Sequence, residues 1–308
     1  MNTEPNVTYL TFAGHVEIDK YRYLYFAIMF TAYVLIFCSN STIVCLIMIH
    51  KSLHEPMYVF IAALLLNSVF FSTVIYPKLL MDFLSEKQII SYQACLFQVF
   101  FFYSLSCSEF MLLAVTAFDR YVSICKPLHY TTIMRRTTVS SFLLLAWLAP
   151  ACHVAVPVMT NINQKLCGFT LKGIFCNNSL QRLPCANSKV LFIYGAAGVF
   201  TVTLLPMLFV LFTYTKIFMI TYRSCGEVRK KAAQTCLPHL FVLINYTCLL
   251  LYDLIIVRIE SDRPKTARFV MTLQIVIYNP LFNPIIYGLK MKEISKHLKT
   301  LFCHVRAN

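Results

Sequence analysis

The chain has 308 residues, of which 58% are hydrophobic, 15% aromatic and only 13% charged. A composition this apolar excludes an ordinary soluble domain of that length. The formal net charge of +14 has no compact soluble domain to carry it, so we expect it to contact membrane lipid and a protein partner, and no nucleic acid.

The first 22 residues are a polar tail without the apolar stretch of a cleavable signal peptide. The first membrane helix is therefore expected to act as the insertion signal. Within the tail, the sequence Asn6-Val7-Thr8 matches the acceptor pattern for N-glycosylation. Asn6 is accordingly a candidate glycosylation site.

Seven apolar runs follow, each long enough to cross a bilayer, which takes about 20 helical residues. They are 24–49, 58–81, 93–123, 139–160, 190–222, 232–257 and 267–289. The first run is apolar on all sides, whereas a soluble bundle would alternate apolar stripes with polar faces. The sequence predicts an all-α membrane protein with a seven-transmembrane helix bundle.

The runs divide the chain into three expected segments: an extracellular tail over 1–22, a transmembrane domain over 23–289, and a cytoplasmic helix and tail over 290–308. An odd number of spans puts the termini on opposite sides. With the N-terminus outside, 15 of the 27 Lys and Arg residues lie on the cytoplasmic side. The positive-inside rule therefore favours an extracellular N-terminus.

The third run ends in AVTAFDRYVSICKPLHY, residues 114–130, which sets Asp119 and Arg120 side by side at its inner end. Glu109 lies 11 residues before Arg120, about three helical turns, so both project from nearly the same face. We expect that face to look into the bundle, because a carboxylate facing lipid is costly. Asp119 could hold Arg120 in an ion pair that a conformational change breaks, or the pair could simply anchor the helix at the membrane boundary.

The seventh run ends in NPLFNPIIYGLK, residues 279–290. Pro280 and Pro284 each remove a backbone donor and should bend the helix. Asn283 lies between them and could satisfy the freed carbonyls. Tyr287 follows one turn later, near the cytoplasmic rim.

Beyond Lys290 the chain reads MKEISKHLKTLFCHV. Apolar residues recur on one side of a helix and basic residues occupy the other, which predicts a short amphipathic eighth helix on the membrane surface. The apolar residues are Ile294, Leu298, Leu301 and Phe302. Cys303 at the end is a candidate for palmitoylation.

Four of the 13 cysteines fall in segments assigned to the outer, oxidising side: Cys95, Cys167, Cys176 and Cys185. They could form two disulfide bonds, and spacing alone allows three pairings. Most other cysteines lie in the apolar runs, where a thiol is usually a small apolar filler. None shows the spacing of a metal site, so no metal centre is expected.

With FDRY ending the third run and NPIIY ending the seventh, the chain resembles a rhodopsin-like G-protein-coupled receptor. Four stretches resemble the signatures of olfactory (odorant) receptors, in the right order and over essentially the whole chain. They are PMYVF at 56–60, TAFDRYVSICKPLHYTTIM at 116–134, KAAQTCLPHL at 231–240 and PLFNPIIYGLK at 280–290. The version at 56–80 is most similar to fish-type or class I members.

The resemblance implies a receptor that performs no covalent chemistry. It would bind a small-molecule odorant in the outer half of the bundle and activate a heterotrimeric G protein, stimulatory and cyclase-linked in this family. Its expected location is the plasma membrane of sensory cilia.

The resemblance also implies roles for individual residues. It pairs Cys95 with Cys176, and Cys167 with Cys185. It places Tyr214 where the family has the tyrosine that meets the freed arginine. The residues expected to carry activation and G-protein coupling are Asp119, Arg120, Tyr214, Asn283, Pro284 and Tyr287.

Two departures from the receptor pattern affect these expectations. The usual aspartate of the second helix is Ser68 here, so a sodium site would rest mainly on Glu109 with Ser68, and sodium is the one ion we consider as an allosteric ligand. At the base of the sixth helix stand Arg229, Lys230 and Lys231. An acidic residue that would clamp Arg120 in other receptors is therefore missing.

The ligand-binding residues are expected on the facing sides of the third and sixth helices: Phe102, Tyr103, Ser106, Thr247, Leu251, Leu254 and Arg258. Phe102 stands where amine receptors have an aspartate, which argues against an amine ligand. An apolar cleft closed by Arg258 suits a small amphiphile with an acidic head. Alternatively, Arg258 extends to the lipid headgroups or pairs with Glu260 or Asp253.

Three other functions are considered. A rhodopsin-like receptor could bind a small ligand that is not an odorant. A transporter would explain a carboxylate inside the membrane and interrupted helices, but the chain shows no internal repeat. An enzyme is not expected, because no cluster of His, Asp or Glu residues falls at a common depth.

Overall fold

The computed structural model describes residues 8–185, 189–222, 226, 236–237, 239–251 and 265–307. Within these ranges six helices are long and apolar enough to cross a membrane. They are α1 (Ile18–Ile49), α2 (Pro56–Leu84), α3 (Tyr92–Cys125), α4 (Arg136–Asn161), α5 (Lys189–Tyr222) and α7 (Lys265–Lys290). A shorter apolar helix, α6 (His239–Leu251), lies inside the predicted sixth run. The chain is a multi-pass membrane protein, and the predicted seven-helix bundle is confirmed.

The helix ends follow local rules. α2 begins with Pro56 at its first position, where a missing N–H costs nothing. α3 is capped by Ser91, whose hydroxyl accepts a hydrogen bond from the backbone N–H of Ala94 at 3.3 Å. α3 ends at Cys125, two residues before Pro127, because a proline ring disfavours helical conformation in the residue before it.

α3 is the central helix of the bundle and packs against α2, α4 and α5. Its side chains are mostly buried, whereas α1, α4 and α5 present large apolar side chains outward, such as Leu35 (53% exposed), Leu144 (58%) and Phe212 (58%). Lipid covers such residues in a membrane at no hydrophobic cost. A site inside the bundle can therefore be formed only by the residues that face inward, around α3.

The prolines of α7 are accommodated differently from the sequence expectation. The backbone carbonyl of Pro280 accepts a hydrogen bond from the side-chain amide of Asn40 in α1 at 2.9 Å. Asn283 donates instead to other side chains in the bundle. The prediction that Asn283 satisfies the freed carbonyls was wrong, since a residue distant in sequence supplies a donor.

A small sheet covers the end of the bundle that is expected to be extracellular, here called the outer end. Its central strand, β1 (Tyr9–Phe12), pairs antiparallel with β2 (Ile89–Ser91) and parallel with β3 (Thr170–Leu171). Leu10 and Phe12 are almost fully buried in a cluster that includes Cys95 and Leu96 of α3. The described part of the N-terminal tail thus pairs with two loops, the first outer loop between α2 and α3 and the second outer loop between α4 and α5.

A further helix, α8 (Lys292–Ala307), follows α7 after the single non-helical residue Met291. Ile294 is fully buried, and the ring of His297 stacks on His50 at the end of α1 with centroids 3.9 Å apart. Its position on the membrane surface stays a prediction. The side chain of Cys303 lies outside the described residues.

Candidate functional site

Glu109 lies midway along α3 and is the centre of a buried polar network. Only 1% of this residue is exposed. Its Oε2 accepts a hydrogen bond from the amide of Asn67 at 2.9 Å, and its Oε1 accepts one from the amide of Asn283, also at 2.9 Å. A buried carboxylate is costly unless its oxygens are hydrogen-bonded, and here both oxygens have a donor.

The network joins four helices. The amide nitrogen of Asn283 lies 3.0 Å from the hydroxyl of Ser68, and Trp147 Nε1 donates to Asn67 Oδ1 at 3.2 Å. Side chains from α2, α3, α4 and α7 therefore depend on one set of hydrogen bonds, in which each member holds the next in place. Sequence reasoning missed Asn67 as a direct partner of Glu109, although its place beside Ser68 was an available signal.

The oxygens around Glu109 can be compared with the needs of a small cation. Asn283 Oδ1 is buried and has no hydrogen-bond partner among the described residues. A carboxylate, a hydroxyl and an amide oxygen are all hard ligands of the kind that such cations take. Glu109, Ser68 and Asn283 thus supply oxygen atoms of the kind that a sodium ion takes, while both carboxylate oxygens already accept from an amide.

At the inner end of α3, Arg120 is held by its neighbour Asp119. Arg120 Nε donates to Asp119 Oδ2 at 3.0 Å, and a terminal guanidinium nitrogen contacts the same oxygen. The hydroxyl of Tyr130 donates to Asp119 Oδ1 at 2.9 Å. Burial and the negative charge of Asp119 both raise the pKa of Tyr130, so it remains a hydrogen-bond donor.

Tyr214 and Tyr287 lie in the inner half of the bundle, on α5 and α7. Tyr214 is buried, and its hydroxyl has no hydrogen-bond partner in the described part of the chain. The hydroxyl of Tyr287 lies 3.1 Å from His239 Nδ1 of α6. Pro284 is buried one turn before Tyr287. Arg120 is thus bound to Asp119 while the hydroxyl of Tyr214 is unused.

Among the residues predicted to bind ligand, those of α3 face different directions. Phe102 is fully buried and packs against Phe71 and Phe175, with ring centroids 5.4 Å and 5.1 Å away. Tyr103 lines a cavity. The backbone carbonyl of Ser106 accepts a hydrogen bond from the hydroxyl of Tyr246 at 3.1 Å.

The predicted residues of α6 are described only in part. Thr247 donates its hydroxyl to the carbonyl of Leu243 at 2.7 Å, as a threonine in a helix often does. Leu251 is the last described residue of α6. Leu254 and Arg258 lie outside the described residues, as do Asn6 and the basic residues Arg229, Lys230 and Lys231.

A cavity of about 120 Å³ opens between α3, α4, α5 and the second outer loop. Its walls are largely apolar, with valines, leucines and a proline. The polar or soft side chains that line it include Tyr103, Cys107, His153, Asn161 and Asn177. Helix α4 was not predicted to contribute to a ligand site, and nothing in its apolar sequence apart from His153 suggested that it would.

Two disulfide bonds hold the second outer loop over this cavity. Cys95 is joined to Cys176, and Cys167 to Cys185, which are the pairings that the resemblance implies. The backbone N–H of Cys176 also donates to Gln98 Oε1 at 2.9 Å. The loop is therefore attached to the top of α3 at a defined place.

The chain is similar to known receptors along most of its length. A family model described as "Olfactory receptor" matches residues 28–305. Olfactory receptor 4M1 of Mus musculus is 30% identical over 302 residues, which covers 97% of this chain and 95% of that protein. Olfactory receptor 4N5 of Homo sapiens is 31% identical, covering 96% and 95%, and olfactory receptor 52K1 of Homo sapiens is 32% identical, covering 88% and 87%.

The chain belongs to the olfactory receptor family. It is a rhodopsin-like G-protein-coupled receptor for odorants and not an enzyme. The transporter considered above is not favoured. The receptor's polar network and its Asp119–Arg120 pair are therefore interpreted as parts of a signalling protein.

Proposed function

We propose that the receptor binds a small odorant in the outer half of the bundle and that binding frees Arg120 from Asp119. The freed guanidinium would meet the hydroxyl of Tyr214 and the G protein. The observation that carries this proposal is the pairing of Arg120 with Asp119 while the buried Tyr214 hydroxyl has no partner in the described residues. An odorant shifts this equilibrium only by its difference in affinity for the two states.

The receptor is proposed to lie in the plasma membrane of sensory cilia, with its N-terminal tail outside the cell. Strand β1 pairs with loops at the end of the bundle that carries both disulfide bonds. Disulfide bonds persist in oxidising surroundings, which supports an extracellular location for that end. The partner is proposed to be a stimulatory, cyclase-linked G protein.

Nucleotide exchange on an added heterotrimeric G protein tests the proposed function. Membranes that contain the receptor should accelerate exchange above the rate of empty membranes, because a small fraction of receptors occupies the active state without ligand. The acceleration should disappear in Arg120→Ala at equal surface expression. Equal exchange in both membranes, with and without odorants, would contradict the proposal.

Sodium is proposed as an allosteric ligand of the resting receptor, held by Glu109 and Ser68. The proposal is supported by Asn283, whose amide nitrogen donates to both residues and whose amide oxygen has no partner among the described residues. Sodium chloride should then raise the melting temperature relative to choline chloride at the same ionic strength, and Glu109→Gln should remove the difference. An unchanged difference in the variant would assign it to another site.

Three finer features stay predictions of the sequence. One is the particular similarity to fish-type or class I receptors. Another is the acidic ligand head that Arg258 would bind, with the alternative that Arg258 extends to the headgroups or pairs with Glu260 or Asp253. Asn6 likewise remains a candidate for glycosylation.

A further inference from the structure

We propose that His153 of α4 is the hydrogen-bonding partner of a small, uncharged ligand in the cavity between α3, α4 and α5. This inference rests on the proposed odorant-binding function and adds the chemical class of the ligand. It also assigns recognition to α4, from which the sequence predicted no ligand-binding residue.

The ring of His153 is held at the cavity wall by α5. It stacks on Tyr194 with centroids 4.5 Å apart and planes 13° from parallel. The hydroxyl of Tyr194 donates to the backbone carbonyl of His153 at 3.2 Å. Gly198 leaves the room that the ring occupies, because a Cβ atom there would lie 1.6 Å from His153 Nε2. Only glycine at position 198 allows this placement.

The ring nitrogens of His153 are available to a ligand. Neither forms a hydrogen bond with the part of the chain that the structure describes, and His153 is one of the residues that line the cavity. Two other polar groups along the wall, those of Tyr103 and Asn161, already bond to the protein. Tyr103 accepts from the backbone N–H of Asn178 at 2.8 Å, and Asn161 donates to the carbonyl of Pro157 at 2.7 Å.

The cavity wall limits the charge of a ligand. None of the described residues that line the cavity is a lysine, arginine, aspartate or glutamate. A carboxylate or ammonium group would lose its hydration there without gaining a charged partner. A neutral imidazole offers one donor and one acceptor, which suits a hydroxyl or carbonyl group.

The volume of the cavity limits the size of a ligand. An apolar cavity of about 150 Å³ in another protein accommodates benzene. At about 120 Å³, this cavity suits a molecule of roughly that size, such as a six-membered ring with one polar substituent. A small cyclic alcohol or ketone meets both conditions.

The test uses the full-length receptor in cells with a cyclic-AMP readout. Cyclohexanol, cyclohexanone and phenol are compared with methylcyclohexane and toluene, which lack the polar group, and with cyclohexanecarboxylic acid. The parent should respond to the polar neutral compounds at concentrations severalfold to about tenfold lower than to the hydrocarbons, as expected for one neutral hydrogen bond.

Three variants locate the effect. His153→Phe keeps a ring that can stack on Tyr194 but removes both nitrogens, so the preference for the polar compounds should vanish. Gly198→Ala should weaken it as well, because the new methyl group displaces the imidazole. Met159→Leu is the matched control on the same helix, since Met159 is 66% exposed toward lipid and should not change the preference.

Surface staining and ligand-free nucleotide exchange accompany every variant, so that a folding defect is recognised. The inference is overturned if His153→Phe keeps the preference, or if a parent receptor at the surface ignores every neutral compound. A response confined to the acid, and lost in Arg258→Ala, would assign recognition to α6 while the proposed signalling function stands. Absence of exchange in the parent under all conditions would overturn that function too.

Discussion

Arg120 donates a hydrogen bond to Asp119, the residue directly before it, from Nε to Oδ2 at 3.0 Å. The side chain of Asp119 is fully buried and that of Arg120 is 12% exposed. Tyr130, at the start of a short helix (Tyr130–Ile133) in the loop after α3, donates to the other carboxylate oxygen. Asp119 is therefore shared between the arginine that is expected to contact the G protein and a tyrosine that orients the acid.

Removing this tyrosine hydroxyl should raise basal signalling. In Tyr130→Phe, Asp119 loses one hydrogen bond, and a hydrogen bond to a charged group contributes about 1.5–3 kcal/mol. If the bond is specific to the resting state, the ratio of active to resting receptor should rise by about tenfold or more. Ligand-free cyclic AMP measures this at matched surface levels. Tyr121→Phe, on the neighbouring helix surface, is the control, and equal basal activity in Tyr130→Phe and the parent would argue against the shared role.

Loss of the disulfide bond to α3 should trap the receptor inside the cell. Native disulfide bonds in small secreted domains contribute about 2–5 kcal/mol of stability. Cys176→Ser would also leave a free Cys95 thiol in α3, beneath the loop that covers the cavity. Surface staining should fall sharply. Cys152→Ser, which changes a free and exposed cysteine, should reach the surface normally. Normal surface levels of Cys176→Ser would show that this bond is dispensable.

Asn67 should be needed for the stability of the polar network. In Asn67→Leu, Glu109 Oε2 loses its donor and the indole N–H of Trp147 loses its acceptor. Leaving a buried polar group unsatisfied costs about 1–3 kcal/mol, and more for a charged group. The melting temperature of the purified receptor should fall clearly. Ser72→Ala is the control, because its buried hydroxyl has no partner in the described residues and its loss should change little.

The packing of the N-terminal tail should depend on pH through His15. Burial, and next the positive charge of Lys78, lower the pKa of His15 from 6.5 to about 4. Lys78 in turn pairs with Asp82, and the ring of His15 contacts Phe83. His15 binds a proton more readily in the unfolded tail than in the folded one. The stability that its burial contributes is therefore complete above about pH 6.5 and is lost as the pH falls toward 4.

The expected loss is at most about 1.4 kcal/mol per pH unit in that window. The melting temperature of the parent should fall between pH 7 and pH 5, and His15→Phe should reduce the fall. His129→Phe, which changes a histidine on the exposed loop after α3, serves as the control. A pH dependence that is identical in parent and His15→Phe would assign the titration to other groups.

The sequence by itself determined the number of helices, their approximate bounds and the family. Long apolar runs have few alternatives in a bilayer, because every backbone polar group must be satisfied within the helix. The motifs around Asp119, Arg120 and Tyr287 are contiguous, so they can be read without knowing what packs beside them. Local rules were sufficient wherever the partners are close in the chain.

Only the tertiary structure decided which side chains meet across helices. Asn67 and not Ser68 donates to Glu109, and Asn40 and not Asn283 donates to the carbonyl of Pro280. Both choices depend on how one helix is rotated against another. Along a helix the direction of the side chain changes by about 100° from each residue to the next, so a small rotation changes which residue faces the neighbour. His153 came to line a cavity because Gly198, on a different helix, leaves room for its ring. Periodicity within one helix carries no information about such a contact, since the space is provided by the neighbour.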